Sequence, residues 1–267
     1  MAKNMIAYFN GAFINEEQFS VGNLDRAFQY GDGLFETIAF RKGEILFLDN
    51  HFERLSLGAK ALSFEIPTTF NQNYLQKNIL ALIDKNALNE DVRIKLVVWR
   101  KEGGLFTPTN NQINYFIKVA PLAAFALNEI SKIGFYKDYR LHNSPISAYK
   151  TLNALPYILA SNYKKQHQLD EVILFDNQGN IAEGSASNIF WIENGTLFTP
   201  SLQTGCLAGV MRQNIIQKAK QLNILVSEVL VLDLNFETLD CVFFTNACSV
   251  SVYKIKDDEV VRRLASF

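Results

Sequence analysis

The sequence predicts an α+β protein of two domains, and three observations carry that prediction. Short runs of β-branched and aromatic residues recur along the chain, separated by turn signals such as Asn10-Gly11, Lys42-Gly43 and Asn194-Gly195. Segments with apolar residues at helical spacing fall between groups of strands instead of alternating with single strands. The stretch PLAAFALNE after residue 120 breaks both periodicities and reads as a crossover, placing a boundary near residues 121–128.

The elements follow in order. MIAYFNGAFI is a hairpin signal, two apolar runs around Asn-Gly. FETIAF and EILFL, at 35–40 and 44–48, flank a second turn at RKG. Asp49-Asn50 then offers an N-cap to a helix carrying Phe52, Leu55 and Leu62. A second helix is expected over 74–87, a strand over 92–99 and another over 113–119, with the loop KEGGLFTPTNNQ between these strands. The second half should hold strands at 132–136, 171–175, 189–192 and 196–199, and helices at 153–165 and 210–222.

A chain of 267 residues can bury a sizeable core, and 48% hydrophobic against 20% charged residues is the balance of a globular protein. A formal net charge of -1, without a basic stripe, argues against nucleic-acid binding. Cys206, Cys241 and Cys248 lack metal-ligand spacing, and an odd count argues against a disulfide framework. His51, His142 and His167 are far apart, so no metal is expected. No window is long and apolar enough for a membrane span, and the N-terminal apolar run is too short for a signal peptide, so a cytoplasmic location is expected.

Several residues could carry chemistry. Lys150, in PISAYKTLNALPYILA, is expected at a strand-to-helix junction, where apolar walls from Ile146, Tyr149 and Leu152 would lower its pKa and leave a nucleophilic amine. An ordinary solvated lysine is the commoner meaning of such a position. Glu183 opens EGSASNIF, between the turns DNQGN and ENG. A strand-end glutamate is usually exposed, but a buried one would hold a cationic partner, with Ser185, Ser187 and Asn188 completing its hydrogen bonds. Gly209, Val210 and Met211 open a helix after a small-residue loop containing Leu207, an arrangement suited to phosphate. Arg54 could add a bidentate contact, and Thr245 and Asn246 could supply donors at a strand end.

Taken together, RAFQYGDGLFETI, DNHFERL, AYKTLN, EVILFDNQGNIAEGSASNIF and LFTPSLQTGCLAGVMRQ, in that order, resemble the class IV aminotransferases, the fold-type IV pyridoxal-phosphate enzymes. The resemblance implies a D-amino acid aminotransferase-like fold: a domain to residue 121, a linking loop at 122–128, and a pseudo-barrel domain over 129–267, with pyridoxal 5'-phosphate between them. It implies Lys150 as the catalytic Schiff-base lysine, Glu183 as partner of the pyridinium nitrogen, and phosphate contacts from Arg54 and the backbone of Val210 and Met211. Ser187, Asn188, Leu207, Gly209, Thr245 and Asn246 complete the expected cofactor site. Phe35, Leu105, Phe106 and Ala247 are the expected substrate pocket. A homodimer acting on a small amino compound is also implied.

The motifs are most similar to those of aminodeoxychorismate lyases, in K-x-L-N, G-V-M-R-Q and Asn246-Ala247. Leu105 stands where those lyases usually carry Arg, and Asn153 and Leu155 replace the Gly-Asn-Tyr continuation of branched-chain aminotransferases. The rival readings are an aminotransferase for branched-chain or D-amino acids, and an inactive binding protein on the same fold.

Overall fold

The computed structural model describes residues 5–255 and 259–266, which divide into two compact units. The first runs to Ala124 and also takes in Tyr149–Asn153; the second holds Phe125–Ala148 and the chain from Ala154 onward.

The first unit is a six-stranded sheet, and its described strand pairs are antiparallel. Its strands are β1 (Ile6–Phe9), β2 (Ala12–Asn15), β3 (Gly33–Arg41), β4 (Glu44–Ile45), β5 (Val92–Arg100) and β6 (Ile113–Pro121), in the order β2-β1-β6-β5-β3-β4. The β1-β2 and β3-β4 hairpins turn on Asn10-Gly11 and Lys42-Gly43, all four with positive φ, so the twist of the turn matches that of the strands. A short helix α1 (Arg26–Tyr30) is capped by Asp25, whose carboxylate accepts from the Ala27 and Phe28 N–H groups. Helices α2 (Leu48–Ala61) and α3 (Gln72–Lys85) lay Leu55, Ala59, Leu75, Ile79 and Leu82 on Ile38, Ile94, Leu96 and Ile117. Each fully buried aliphatic side chain there contributes roughly 1.5–3 kcal/mol.

The second unit has two sheets. One orders β10 (Ile181–Gly184), β9 (Glu171–Asp176) and β8 (Ile133–Leu141). The other orders β13 (Leu225–Val229), β12 (Thr196–Pro200), β11 (Asn188–Glu193), β14 (Cys241–Thr245), β15 (Val250–Ile255) and β7 (Leu127–Glu129). β9 is buried on both faces: Val172 and Leu174 pack with Ala160 of α4 (Leu155–Gln166), while Ile173 and Phe175 join Ile189, Trp191, Val242 and Phe244. The unit also contains α5 (Val210–Gln221) and α6 (Glu259–Leu264).

Three sequence expectations are corrected. EILFL is extended only over Glu44–Ile45; Phe47 turns left-handed at φ 53 and the helix begins at Leu48. Asp49 therefore lies in the first turn and is no cap. Lys150 follows a turn over residues 145–148, not a strand. Its segment, Tyr149–Asn153, clusters with the first unit although its sequence neighbours on both sides belong to the second.

Candidate active site

Lys150 is held by backbone pairing to the start of β3. The Phe35 N–H donates to the Lys150 carbonyl at 2.8 Å, Thr151 bridges Leu34, and the Leu152 N–H donates to the Gly33 carbonyl at 2.9 Å. Gly33 is required: a Cβ there would lie 2.6 Å from Leu152 Cδ1 and 2.8 Å from the Val98 carbonyl oxygen. The stitched segment places Lys150 Nζ 4.6 Å from the centroid of the Phe35 ring. Tyr149 packs on the first unit's core, whereas Ile146 is exposed and belongs to the second unit.

Lys95, which sequence reasoning missed, reaches the same ring from β5, with its Nζ 5.0 Å from the centroid. Burial, then the charges of Lys118 and Arg93, push its pKa below the ordinary lysine value. The signal in the sequence was faint: one lysine in a β-branched run, with no spacing that links it to Lys150.

Arg54 lies on α2, buried, and its guanidinium grips Glu36 of β3: Nε to Oε1 at 2.8 Å and Nη2 to Oε2 at 2.5 Å. His51 Nδ1 meets Glu36 Oε2 at 2.7 Å. Burial pushes the Glu36 pKa up, but the Arg54 charge and the hydrogen bonds of His51 and Arg54 outweigh it and leave the carboxyl below the ordinary range. Burial drives His51 the other way, below its ordinary value, against the pull of Glu36; the charges of Arg54 and Lys150 add to that lowering. A neutral imidazole between a carboxylate and two cations is the result.

In the second unit Glu183 sits on β10, 5% exposed. Tyr157, on the first turn of α4, donates from its hydroxyl to Glu183 Oε1 at 2.7 Å, and the Leu207 N–H donates to Oε2 at 3.1 Å. Ser185 and Ser187, expected to serve Glu183, serve a different buried carboxylate. Their hydroxyls donate to Glu171 Oε1 at 2.6 Å and Oε2 at 2.7 Å, and the Ser185 N–H adds 3.1 Å to Oε1. β10 ends at Gly184 and the chain bends through residues 185–187, so the serines turn back to Glu171 on β9 while Glu183 reaches Tyr157 of α4 and the loop before α5.

Asn188 donates through Nδ2 to the Thr245 carbonyl at 2.8 Å and to its hydroxyl at 3.1 Å. Gly209 caps α5, and a Cβ there would lie 2.0 Å from Asn188 Oδ1, so only glycine lets the loop pass over that amide. The first N–H groups of α5, on Val210, Met211 and Arg212, have no intrahelical acceptor by helix geometry. Asn246 is engaged in its own turn, accepting at Oδ1 from the Cys248 N–H at 2.9 Å and the Ser249 N–H at 3.0 Å.

The expected substrate-pocket residues are divided between the two units. Phe35 is half-buried beside Lys150, and Ala247 is half-buried in the second unit. Leu105 and Phe106 are 75% and 89% exposed, on a loop whose Gly103, Gly104 and Leu105 carbonyls accept from Arg26 Nη1. Among the described residues no cluster of His, Cys, Asp and Glu could hold a metal, and no helix is long and apolar enough to cross a membrane.

Comparison with known proteins gives one family. The family model described as amino-transferase class IV matches residues 33–255. A Methanocaldococcus jannaschii protein, provisionally named a branched-chain-amino-acid aminotransferase, is 32% identical over 94% of this chain and 88% of its own length. Bacillus subtilis aminodeoxychorismate lyase is 31% identical over 81% of this chain and 74% of its own. Among solved structures, the branched-chain aminotransferase of Thermoproteus uzoniensis with norvaline superposes with a TM-score of 0.87 at 25% identity, covering 97% of this chain and 92% of that one.

Proposed function

Because the chain belongs to the amino-transferase class IV family, we propose that it is a pyridoxal 5'-phosphate enzyme acting on a small amino compound, and specifically a 4-amino-4-deoxychorismate lyase. Bound to the enzyme, the cofactor supplies an aldehyde carbon for an amine and a ring that accepts the electrons left when a neighbouring proton departs.

The residues present fit that group. A heteroaromatic nitrogen that must stay protonated needs a buried carboxylate that remains ionised. Glu183 is a buried carboxylate that accepts a hydrogen bond on each oxygen. A phosphate needs free N–H groups and positive potential, which the start of α5 offers at Val210 and Met211, with Arg54 as a further cation. Asn188, Thr245 and Gly209 shape the surface at that helix end, and Ser187 and Asn246 hold the flanking loops. Lys150 Nζ is the amine that would hold the cofactor, and as a free amine it would be the base that takes the proton from the amine-bearing carbon of the substrate.

The observation that carries the specific reading is the pair of lysines at Phe35. Lys95 Nζ meets the ring that Lys150 Nζ also meets, and as an ammonium would offer a second anion partner. A branched-chain amino acid has one carboxylate. Aminodeoxychorismate has two, and its conversion needs only loss of a proton and of the enolpyruvyl group as pyruvate, giving 4-aminobenzoate without a keto-acid acceptor. Leu155, 66% exposed where branched-chain enzymes usually carry Tyr, points the same way.

A second reading, amino-acid aminotransferase, is favoured by the Methanocaldococcus jannaschii relative and the Thermoproteus uzoniensis structure. The two part in one experiment, in which reconstituted enzyme is given aminodeoxychorismate alone, and branched-chain or D-amino acids with 2-oxoglutarate. Pyruvate and 4-aminobenzoate in equal amounts from the first mixture support the lyase. Glutamate formation from the second, with no pyruvate from the first, supports the aminotransferase.

A further inference from the structure

Tyr157 has no part in the chemistry described so far, yet its hydroxyl is spent on one oxygen of the carboxylate at its centre, Glu183 Oε1 at 2.7 Å. We propose that Tyr157 is a positioning residue that fixes the Glu183 carboxylate and keeps it ionised in a buried place, so that the enzyme retains its grip on the cofactor ring under mildly acidic conditions. The proposal rests on Glu183 being the partner of the ring nitrogen.

The geometry determines what Tyr157 can do. Its ring belongs to the core around Tyr136, Ala160, Leu174 and Cys206, which fixes the direction of its C–O bond. Glu183 is 5% exposed, and such burial favours the neutral acid. A hydrogen bond donated to the charged form opposes that, and two are present, from Tyr157 and from the Leu207 N–H. The backbone donor cannot be removed by a side-chain change, so Tyr157 is the adjustable one. Other titratable groups nearby stay neutral: burial and the Glu183 charge push the Cys206 thiol up to about 12, and the same two causes hold the Tyr157 hydroxyl far above its ordinary range. Tyr139 adds to the upward push on Tyr157. Arg212, which acts on Cys206, is paired with Glu228 at 2.6 Å. Tyr157 therefore remains a donor throughout the working range.

The test is the dissociation constant of pyridoxal phosphate from the full-length protein, measured by fluorescence from pH 5 to 8 for wild type, Tyr157→Phe and Glu183→Gln. Phe keeps the ring in the core, and thermal unfolding of each cofactor-free protein checks that the fold is kept. Titration of the cofactor's own phosphate is common to all three proteins, so only differences between variants count. In Tyr157→Phe, the pH below which affinity falls should rise by about one pH unit, the worth of one hydrogen bond to a charged group. Incorporation of 3-fluorotyrosine at residue 157, a stronger donor on the same ring, should move it the opposite way. A Tyr157→Phe profile that overlays wild type, while Glu183→Gln binds weakly at every pH, overturns the proposal and leaves Glu183 in its role. A Glu183→Gln profile that also overlays wild type overturns both.

Discussion

The Phe35 N–H donates to the Lys150 carbonyl at 2.8 Å while the Phe35 ring lies 4.6 Å from Lys150 Nζ, so one residue of β3 fixes both the backbone and the head group of the same lysine. Five residues from the second half of the sequence are thereby stitched to a sheet made by the first. Replacing Phe35 with Leu keeps the backbone bond and removes the π face. Turnover should fall about tenfold, the value of a partly desolvated cation–π contact of roughly 1–2 kcal/mol. Borohydride trapping at Lys150 should remain stoichiometric. Unaltered turnover would reduce the ring to packing.

Lys95 reaches that ring from β5 and separates the two proposed chemistries. Lys95→Met removes the charge and keeps the stem. For a dianionic substrate KM should rise, by about tenfold or more for loss of a charged hydrogen bond of roughly 1.5–3 kcal/mol. For a monocarboxylate amino acid it should hardly move. Steady-state kinetics with both substrates decides; equal effects on the two would remove Lys95 from substrate recognition.

Glu183→Gln keeps the shape and the Leu207 contact but removes the charge. If the carboxylate holds the ring nitrogen protonated, turnover should drop by about 10²–10³-fold, roughly 2.7–4 kcal/mol, as for other preorganised electrostatic partners. Single-turnover rates measure it. A folded variant with wild-type rates would make Glu183 a buried structural acid and nothing more.

The Glu36–His51–Arg54 cluster makes stability depend on pH. His51 is held below its ordinary 6.5 and Glu36 below its ordinary 4.5 in the folded state. For both, the unfolded chain binds protons that the folded chain resists, so stability is present above those ordinary values and lost as pH falls. The unfolding midpoint should therefore decline from pH 7 to pH 4, with the upper part of the decline missing in His51→Gln. Arg54→Ala leaves the buried Glu36 charge without its cationic partner, and should cost about 3–5 kcal/mol at pH 7 by urea unfolding. It should also let inorganic phosphate compete better with the cofactor. A small, pH-independent loss would mean that Glu36 finds another partner.

Much of this arrangement was legible in the sequence because its signals are local. The turns at Asn10-Gly11, Lys42-Gly43 and Asn194-Gly195 require positive φ and therefore announced their hairpins. The α3 and α5 helices start and stop within two residues of the expected positions because their apolar periodicity is strong. Short elements were missed: α1 spans five residues and β7 three, and β13 lies where exposed or mixed side chains blur the alternation. The start of α2 was misplaced because Asp49 and Asn50 look like caps, whereas the left-handed turn at Phe47 has no sequence signature.

Within the candidate site, the sequence singled out Lys150 and Glu183 but not the groups that hold them. Tyr157 meets Glu183 across 26 positions and Lys95 meets Phe35 across a strand pair. Contacts made by tertiary packing leave no periodic trace in one chain. Ser185 and Ser187 were assigned to the wrong carboxylate for the same reason: the chain leaves β10 after Gly184 and bends, and the bend turns both hydroxyls to Glu171.

The central claim is that Lys150 is the residue that carries pyridoxal phosphate. The measurement is reduction of the reconstituted protein with borohydride, followed by peptide mapping by mass spectrometry. The account predicts a yellow protein that loses its colour on reduction, with one phosphopyridoxyl group per chain, on Lys150, and none on Lys95. A protein that stays colourless with added cofactor, or a label spread over surface lysines with Lys150 unmodified, would contradict it.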